Sequence, residues 1–252
     1  MTEAPQRTLK LTLAYEGTAF AGWQRQPGQR TVQAALEDAL AAVDERPVTV
    51  VAAGRTDAGV HAFAQVASAR VSTRLPPPVL IRALNVRLPG DVRITRVDEA
   101  PPGFDARRAA RTKSYRYTVA QGADPGPFVR RVVWHVAQRL DVAAMMEAAA
   151  ALEGEHDFAA FQAAGGDVKT SVRRLIRSRL TCVPGRSAYL SYDVTGTGFL
   201  RHMVRNIVGT LVDIGRGRWP ASEMRDILAS RSRRRAGMTA PPQGLVLVRV
   251  AY

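Results

Sequence analysis

Alternation of apolar and polar residues marks the first predicted strand of the chain. Residues 8–15 read TLKLTLAY, in which every second side chain is apolar, and this pattern is typical of a half-buried β-strand. From Val32 to Val43 the apolar positions recur every three to four residues, which predicts a helix with Thr31 as its N-cap. The chain is therefore predicted to begin with a strand followed by a helix.

The same criteria predict a β-α-β-β-α-β order over the first hundred residues. Further strands are expected at 48–53, 60–71 and 91–97, and a second helix at 76–88. This is the element order of a ferredoxin-like split βαβ unit.

A looser version of this order is predicted for the second half. Strands are expected at 114–119, 132–137, 173–182, 188–195 and 245–250, and helices at 142–152 (after Asp141 as N-cap) and 201–214. Pro101, Pro102 and Gly103 indicate a boundary between the halves. We therefore predict an α+β protein of two ferredoxin-like or RRM-like lobes, residues 1–103 and 104–252, with a mainly antiparallel central sheet.

Composition and charge narrow the class of protein. The 252 residues are 46% hydrophobic and 23% charged, a balance typical of globular chains rather than disordered ones. No run of about 18 apolar residues predicts a membrane span. The first ten residues lack the apolar region of a signal peptide, so we expect a cytoplasmic protein. Cys182 is the single cysteine, which excludes an intrachain disulfide.

The positive charge is concentrated in the second half. The chain carries 36 Lys and Arg against 22 Asp and Glu, a net charge of +14, of which residues 1–100 account for +2 and residues 101–252 for +12. Such an asymmetry favours a polyanionic partner, most often nucleic acid. Since 33 of the 36 cations are arginine, genome bias is the alternative explanation. Bias accounts for arginine in place of lysine, but it leaves the excess of positive charge unexplained.

The motifs of the common cofactor and metal enzymes are missing from the sequence. There is no phosphate-binding loop and no complete dinucleotide fingerprint. The four histidines have no partner at metal-binding spacing, and GxSxG and SxxK serine motifs are absent. We therefore expect no metal and no cofactor, and either single-carboxylate chemistry or binding alone.

One carboxylate, Asp57, stands in a short loop between two predicted strands. Gly54 and Gly59 flank it, permit positive φ and allow another segment to approach closely. Loops held by rigid strands are common positions for reactive groups. The alternative is an ordinary tight turn in which Asp57 accepts hydrogen bonds from its own backbone. The residue types alone favour the tight turn.

The string GRTDAGVHAFAQV at 54–66 resembles the active-site loop of the tRNA pseudouridine synthase A family. The resemblance continues in family order over nearly the whole chain. Its other blocks are YEGTAFAGWQRQ at 15–26, TVQAALEDAL at 31–40, LNVRLPGDV at 84–92, FDARRAARTKSYRY at 104–117, GEHDFAAF at 154–161, GTGFLRHMVRNIVGTLVDIGRG at 196–217 and APPQGLVLVRVAY at 240–252. Glu16, where the family more often has Asp, is a minor departure. The resemblance implies the pseudouridine synthase fold.

The resemblance implies a reaction without a cofactor, in which uridine becomes pseudouridine. The C1′–N1 bond breaks, the base rotates, and C5 bonds to C1′. By the resemblance Asp57 is the catalytic carboxylate, acting as nucleophile or base. Attack on C1′, addition to the ring and removal of a sugar proton all remain open.

Two further residues match catalytic positions of the family. Arg205 resembles the arginine that pairs with the catalytic aspartate and keeps it ionised; on the residue pattern alone it is equally well a rim arginine that extends to water. Tyr115 resembles the tyrosine that stacks on the target uracil, and its alternative role is that of a core aromatic residue. Tyr117, on the same strand face, is expected in the core.

Arginine and lysine side chains are the expected RNA contacts. Arg55 resembles the family's arginine that displaces the target base from its stack. Further substrate contacts are assigned to Tyr115, Arg107, Arg111, Lys113 and Arg201. For any single cation the alternative is a solvated surface charge, and phosphate contacts position RNA without reading its sequence.

The implied substrate is tRNA, modified in the anticodon stem-loop around positions 38–40, and the implied assembly is a homodimer. Two alternatives remain. One is a synthase of the same family with another RNA target. The other is a basic RNA-binding protein without catalysis, against which the joint presence of Asp57, Tyr115 and Arg205 argues.

Overall fold

The structure is a computed structural model that describes residues 6–165 and 168–252. Contacts divide the chain into two units, the described part of Met1–Arg111 together with Leu247–Tyr252, and the described part of Thr112–Val246. The chain thus leaves the first unit at Arg111, where the sequence suggested 103, and it re-enters that unit inside its last strand.

The first unit contains every element predicted for the first half. Its elements are β1 (Arg7–Tyr15), α1 (Val32–Asp44), β2 (Val50–Ala52), β3 (His61–Val71), α2 (Pro77–Arg87) and β4 (Val92–Ala100). Thr31 caps α1, since its side-chain oxygen accepts a hydrogen bond from the amide of Ala34 at 3.3 Å. The β-α-β-β-α-β order is confirmed.

The strands of the first unit pair antiparallel in the order β4-β1-β3. Leu9, Leu11 and Leu13 of β1 are fully buried, so one face of the strand contributes to the core. The pairing of β1 with β3 shifts register between Leu13 and Tyr15, at the end of β1 nearest the loop that carries Asp57.

The second unit contains one strand and one α-helix that the sequence did not predict. Its elements are β5 (Thr112–Gln121), β6 (Trp134–Val136), α3 (Val142–Ala150), β7 (Gly154–Asp157), β8 (Val172–Val183), β9 (Arg186–Gly196), α4 (Met203–Gly215), α5 (Glu223–Ser230) and the start of β10 (Leu245–Ala251). The unpredicted ones are β7 and α5, each too short to show a clear period. Within this unit the order β5-β9-β8-β7 is antiparallel, and β6 pairs parallel with β5.

Helix α4 is the most buried helix of the second unit. Every residue from Asn206 to Gly215 is buried. Asp141 caps α3 by accepting from the amide of Ala144 at 3.0 Å, as the sequence predicted. The α+β class with a mainly antiparallel sheet is confirmed. Among the helices in residues 6–165 and 168–252, none combines the length and apolarity needed to cross a bilayer.

Candidate active site

Neighbouring residues of the loop between β2 and β3 differ in burial. Thr56 is buried, whereas Arg55 is exposed and Asp57 is half-buried. Thr56 therefore anchors the loop, while Arg55 and Asp57 stay at least partly accessible.

Hydrogen bonds from residues distant in sequence hold this loop in place. The hydroxyl of Tyr15 lies 2.8 Å from the hydroxyl of Thr56, and the Gln65 amide donates to the carbonyl of Gly54 at 2.8 Å. The Thr56 carbonyl accepts from the amide of Trp23 at 3.0 Å. Burial raises the pKa of Tyr15 to about 12, with smaller opposing effects from its hydrogen bonds to Thr56 and Gln65. Tyr15 is therefore a neutral hydroxyl at ordinary pH.

Two glycines allow the segment after β1 to pack against the loop. An ideal Cβ on Gly22 (φ +96°) would lie 2.8 Å from the Thr56 carbonyl oxygen, and one on Gly17 would lie 2.0 Å from that of Val60. No larger residue fits at either position without a backbone shift. The resemblance included this segment as a signature without assigning it a role; the structure shows that it supports the Asp57 loop.

The loop closes with a turn after Asp57. The carbonyl of Asp57 accepts from the amide of Val60 at 3.1 Å, and Gly59 (φ 77°) donates to the carbonyl of Phe20 at 3.3 Å. A backbone turn is thus present, as one alternative for this segment proposed. The turn uses the backbone carbonyl of Asp57 as its acceptor.

Tyr115 lies on β5 in the second unit. Its ring packs edge-on against Phe199, with 5.0 Å between ring centroids and 82° between planes. Phe199 precedes α4, so this contact links β5 to the segment that leads into the helix. Lys113, two residues earlier, is half-buried on the same face of the strand.

Arg205 and Tyr117 share one neighbourhood in the second unit. The Arg205 Nε donates to the carbonyl of Ala240 at 2.8 Å, and the Tyr117 hydroxyl donates to that of Pro241 at 2.7 Å. Burial raises the pKa of Tyr117 well above its ordinary value, while the positive charge of Arg205 opposes that shift. Tyr117 is fully buried, which confirms it as a core aromatic residue.

Arg233 holds the segment after Arg235 by hydrogen bonds that the sequence did not predict. The Arg233 guanidinium donates to the side-chain oxygens of Asn206 and Thr239, both at 3.1 Å, and to the carbonyl of Gly237 at 2.8 Å. Arg233 therefore has a structural role within the second unit. Its charge alone does not distinguish it from a surface arginine.

The remaining candidate RNA contacts have exposed positions. In the first unit Arg107 follows Asp105, whose carboxylate accepts from the amides of Arg107 and Arg108 at 2.8 and 2.9 Å, and Arg111 is exposed beside the last strand. In the second unit Arg201 is exposed and donates to the carbonyl of Ala164 at 2.8 Å.

The structure groups these residues by unit. Asp57 and Arg55 lie on one loop of the first unit. Arg107 and Arg111 belong to the same unit but lie outside that loop. The second unit contains the other four candidate site residues. They lie on β5 or around the start of α4: Lys113, Tyr115, Arg201 and Arg205. In the described part of the chain no cluster of three or more His, Cys, Asp or Glu is suited to a metal ion.

Comparison of the sequence with known proteins finds a matching family. The sequence profile of a family described as "tRNA pseudouridine synthase" matches residues 12–107 and 148–252. A protein named "tRNA pseudouridine synthase A" from Myxococcus xanthus is 49% identical over 97% of this chain and 91% of its own length. One of the same name from Geobacter sulfurreducens is 44% identical over 98% of this chain and its full length.

A match to a solved structure described as "Crystal Structure of a Cbf5-Nop10-Gar1 Complex" covers 94% of this chain and 57% of the matched chain. The sequence identity is 13% and the TM-score is 0.34. A likeness at that score carries no conclusion. The profile match and the sequence identities over nearly the full length show the family without it. The chain belongs to the tRNA pseudouridine synthase A family.

Proposed function

We propose that this chain isomerises uridine to pseudouridine in tRNA, in the anticodon stem-loop around positions 38–40, with Asp57 as its catalytic group. The observation that carries the proposal is the anchored loop. A half-buried carboxylate projects from a segment whose neighbouring residue is fixed by buried hydrogen bonds. Two further points support the same residue: the family match covers residues 12–107, and the motif around Asp57 resembles the family's active-site loop.

The reaction needs no group beyond those of the substrate and the protein. The C1′–N1 bond breaks, the uracil rotates, a C1′–C5 bond forms, and the proton displaced from C5 is balanced by the one gained at N1. A carboxylate serves this sequence as nucleophile or as base. Asp57 holds either role only while it is ionised.

Further residues are assigned roles in this proposal. Tyr115 stacks on the target uracil, and such stacking is worth about 1–3 kcal/mol per base. Arg205 takes the role of the family's arginine that pairs with the catalytic aspartate. Arg55, exposed on the Asp57 loop, takes the place of the displaced base in the RNA stem. Arg107, Arg111, Lys113 and Arg201 bind the RNA backbone.

Replacing the carboxylate tests the catalytic role directly. We expect Asp57→Ala and Asp57→Asn to abolish pseudouridine formation in a defined tRNA transcript while the Kd for that tRNA changes less than about 3-fold, because catalysis rather than binding is lost. Pseudouridine is measured by chemical derivatisation and primer extension. Active variants would contradict the role of Asp57. An inactive wild type that still binds tRNA would favour the binding-protein alternative.

Mapping of modified sites tests the choice of target. RNA from cells lacking the protein is expected to lose pseudouridine around positions 38–40 of its tRNAs, and complementation with wild type but not Asp57→Ala should restore it. Intact modification there, with loss at another RNA site, would support the alternative of a different target.

The assembly is proposed to be a homodimer, as the family resemblance implies. Light scattering coupled to size-exclusion chromatography is expected to give twice the chain mass of 27.4 kDa at micromolar concentration. A monomer at that concentration would contradict the proposal.

A further inference from the structure

The buried hydroxyl of Tyr15 contacts the loop that carries Asp57. Tyr15 is 4% exposed, and its hydroxyl contacts Thr56, the residue directly before Asp57, at 2.8 Å. Nothing in the reaction requires a hydroxyl at this depth. Its contacts therefore raise the question of what it holds in place.

Gln65 supports the same contact from a second direction. Its side-chain amide donates to the Tyr15 hydroxyl oxygen at 3.4 Å and to the carbonyl of Gly54 at 2.8 Å. Gln65 and Thr56 are both buried, so water does not substitute for either bond.

This network restrains the backbone of the loop directly before Asp57. Thr56 is held both by its side chain and by the hydrogen bond from the Trp23 amide to its carbonyl. Because that carbonyl belongs to the peptide group that joins Thr56 to Asp57, holding it restrains the backbone from which the Asp57 carboxylate projects. Displacing a catalytic group by about 1 Å can cost roughly 100-fold in rate.

We propose that Tyr15 is a positioning residue for Asp57, acting through the hydroxyl of Thr56. This inference rests on the proposed function, because it concerns the rate of the step that Asp57 performs. It makes a distinct claim, namely that a hydroxyl that does not touch the substrate sets the rate.

Tyr15→Phe removes the hydroxyl and keeps the ring. We expect the single-turnover rate on a tRNA transcript to fall about 10-fold, while KM and the Kd for tRNA change less than about 2-fold, because the carboxylate is misoriented and RNA contacts are unchanged. Thr56→Val is expected to cause the same loss, whereas Thr56→Ser, which keeps a hydroxyl, should restore a rate close to that of wild type.

A double-mutant cycle separates this route from general loosening of the core. If the hydroxyls act on each other, Tyr15→Phe with Thr56→Val should lose no more rate than either single variant. Additive losses would overturn the proposal, since the two side chains would then act independently. The Thr56 pair keeps the test decisive if Tyr15→Phe fails to fold.

Tyr192→Phe is a matched control. Tyr192 is also buried, and its hydroxyl lies 2.8 Å from that of Ser178, so its removal creates the same chemical defect in the second unit. We expect Tyr192→Phe to lower the melting temperature but leave the single-turnover rate within about 2-fold of wild type. Equal rate losses in Tyr15→Phe and Tyr192→Phe would overturn the proposal.

Asp57→Ala distinguishes failure of this inference from failure of the proposed function. An active wild type, an inactive Asp57→Ala and a fully active Tyr15→Phe would refute the positioning role alone. An active Asp57→Ala, or a wild type that forms no pseudouridine, would refute the proposed function and this inference with it.

Discussion

Three consecutive arginines, Arg233, Arg234 and Arg235, have three different surroundings. Arg233 lies among side-chain and backbone oxygens, and burial lowers its pKa. Arg235 pairs with Glu223 at 2.6 Å, and Arg234 is exposed. The three cations therefore differ in role: Arg233 hydrogen-bonds to protein oxygens, Arg235 forms a surface ion pair, and Arg234 is an exposed charge.

We expect Arg233→Ala to destabilise the protein by about 2–3 kcal/mol, because it removes the side-chain donor to the Gly237 carbonyl and one of the donors to the buried Asn206 side-chain oxygen. Arg234→Ala, the neighbouring control, should change the free energy of unfolding by less than about 0.5 kcal/mol. Urea unfolding of the two variants measures the difference. Equal effects would show that the Arg233 contacts contribute nothing.

At the scale of elements, α4 and the segment after Arg235 pack without space between their backbones. An ideal Cβ on Gly209 would lie 1.7 Å from the carbonyl oxygen of Met238, and the amide of Gly237 donates to the Thr210 hydroxyl at 2.9 Å. A glycine inside a helix normally costs stability relative to alanine. Here it permits a backbone contact that no other residue allows.

Gly209→Ala should therefore destabilise the second unit by about 2–3 kcal/mol, against the usual gain of about 1 kcal/mol for alanine in a helix. Gly215 in the same helix is the control, because its nearest neighbour, the sulfur of Met145, belongs to a flexible side chain that can shift. Thermal melts of both variants give the comparison. Stabilisation by Gly209→Ala would contradict the observed packing.

At the scale of the whole molecule, the division into units redistributes the charge. The chain segments of the first unit carry 16 basic and 11 acidic residues, a net +5, and those of the second carry 20 and 11, a net +9. The sequence halves had suggested +2 and +12. Both units are therefore basic enough to attract a polyanion.

Affinity for tRNA is expected to fall steeply as salt rises, because each phosphate neutralised by an arginine or lysine releases bound counterions. Filter binding at several salt concentrations measures the slope of log K against log salt. Arg107→Ala should reduce that slope by about one, whereas Arg233→Ala, whose charge faces protein oxygens, should leave it unchanged. A slope near zero for the wild type would contradict RNA binding through phosphates.

Stability should decline in alkaline solution. Burial raises the pKa of Tyr15 to about 12 and that of Tyr192 above the ordinary range. The folded state therefore retains protons that the unfolded state loses above pH 10, so the stabilisation is complete below pH 10 and is lost as pH rises toward the folded pKa.

At pH 11 the loss amounts to about 1 kcal/mol for each such tyrosine. Urea unfolding at pH 8 and pH 11 measures it. Tyr192→Phe should reduce the difference between the two pH values by about 1 kcal/mol, and an unchanged difference would contradict the assignment.

The sequence by itself determined what depends on near neighbours. Alternation in TLKLTLAY predicted β1, and the hydroxyl of Thr31 and the carboxylate of Asp141 predicted the starts of α1 and α3, because these interactions span only a few residues. Asp57 was identified through resemblance of the surrounding motif. Short elements such as α5 were missed because their apolar pattern extends over too few residues.

Tertiary structure alone decided which distant residues support the loop of Asp57. The contact between Tyr15 and Thr56 spans 41 positions, and it depends on the register shift at the end of β1 as well as on the close approach at Gly22. Likewise, the role of Arg233 depends on its distance from Asn206, 27 positions earlier. Such pairings follow from how strands and helices pack in three dimensions, and no local pattern in the chain specifies them.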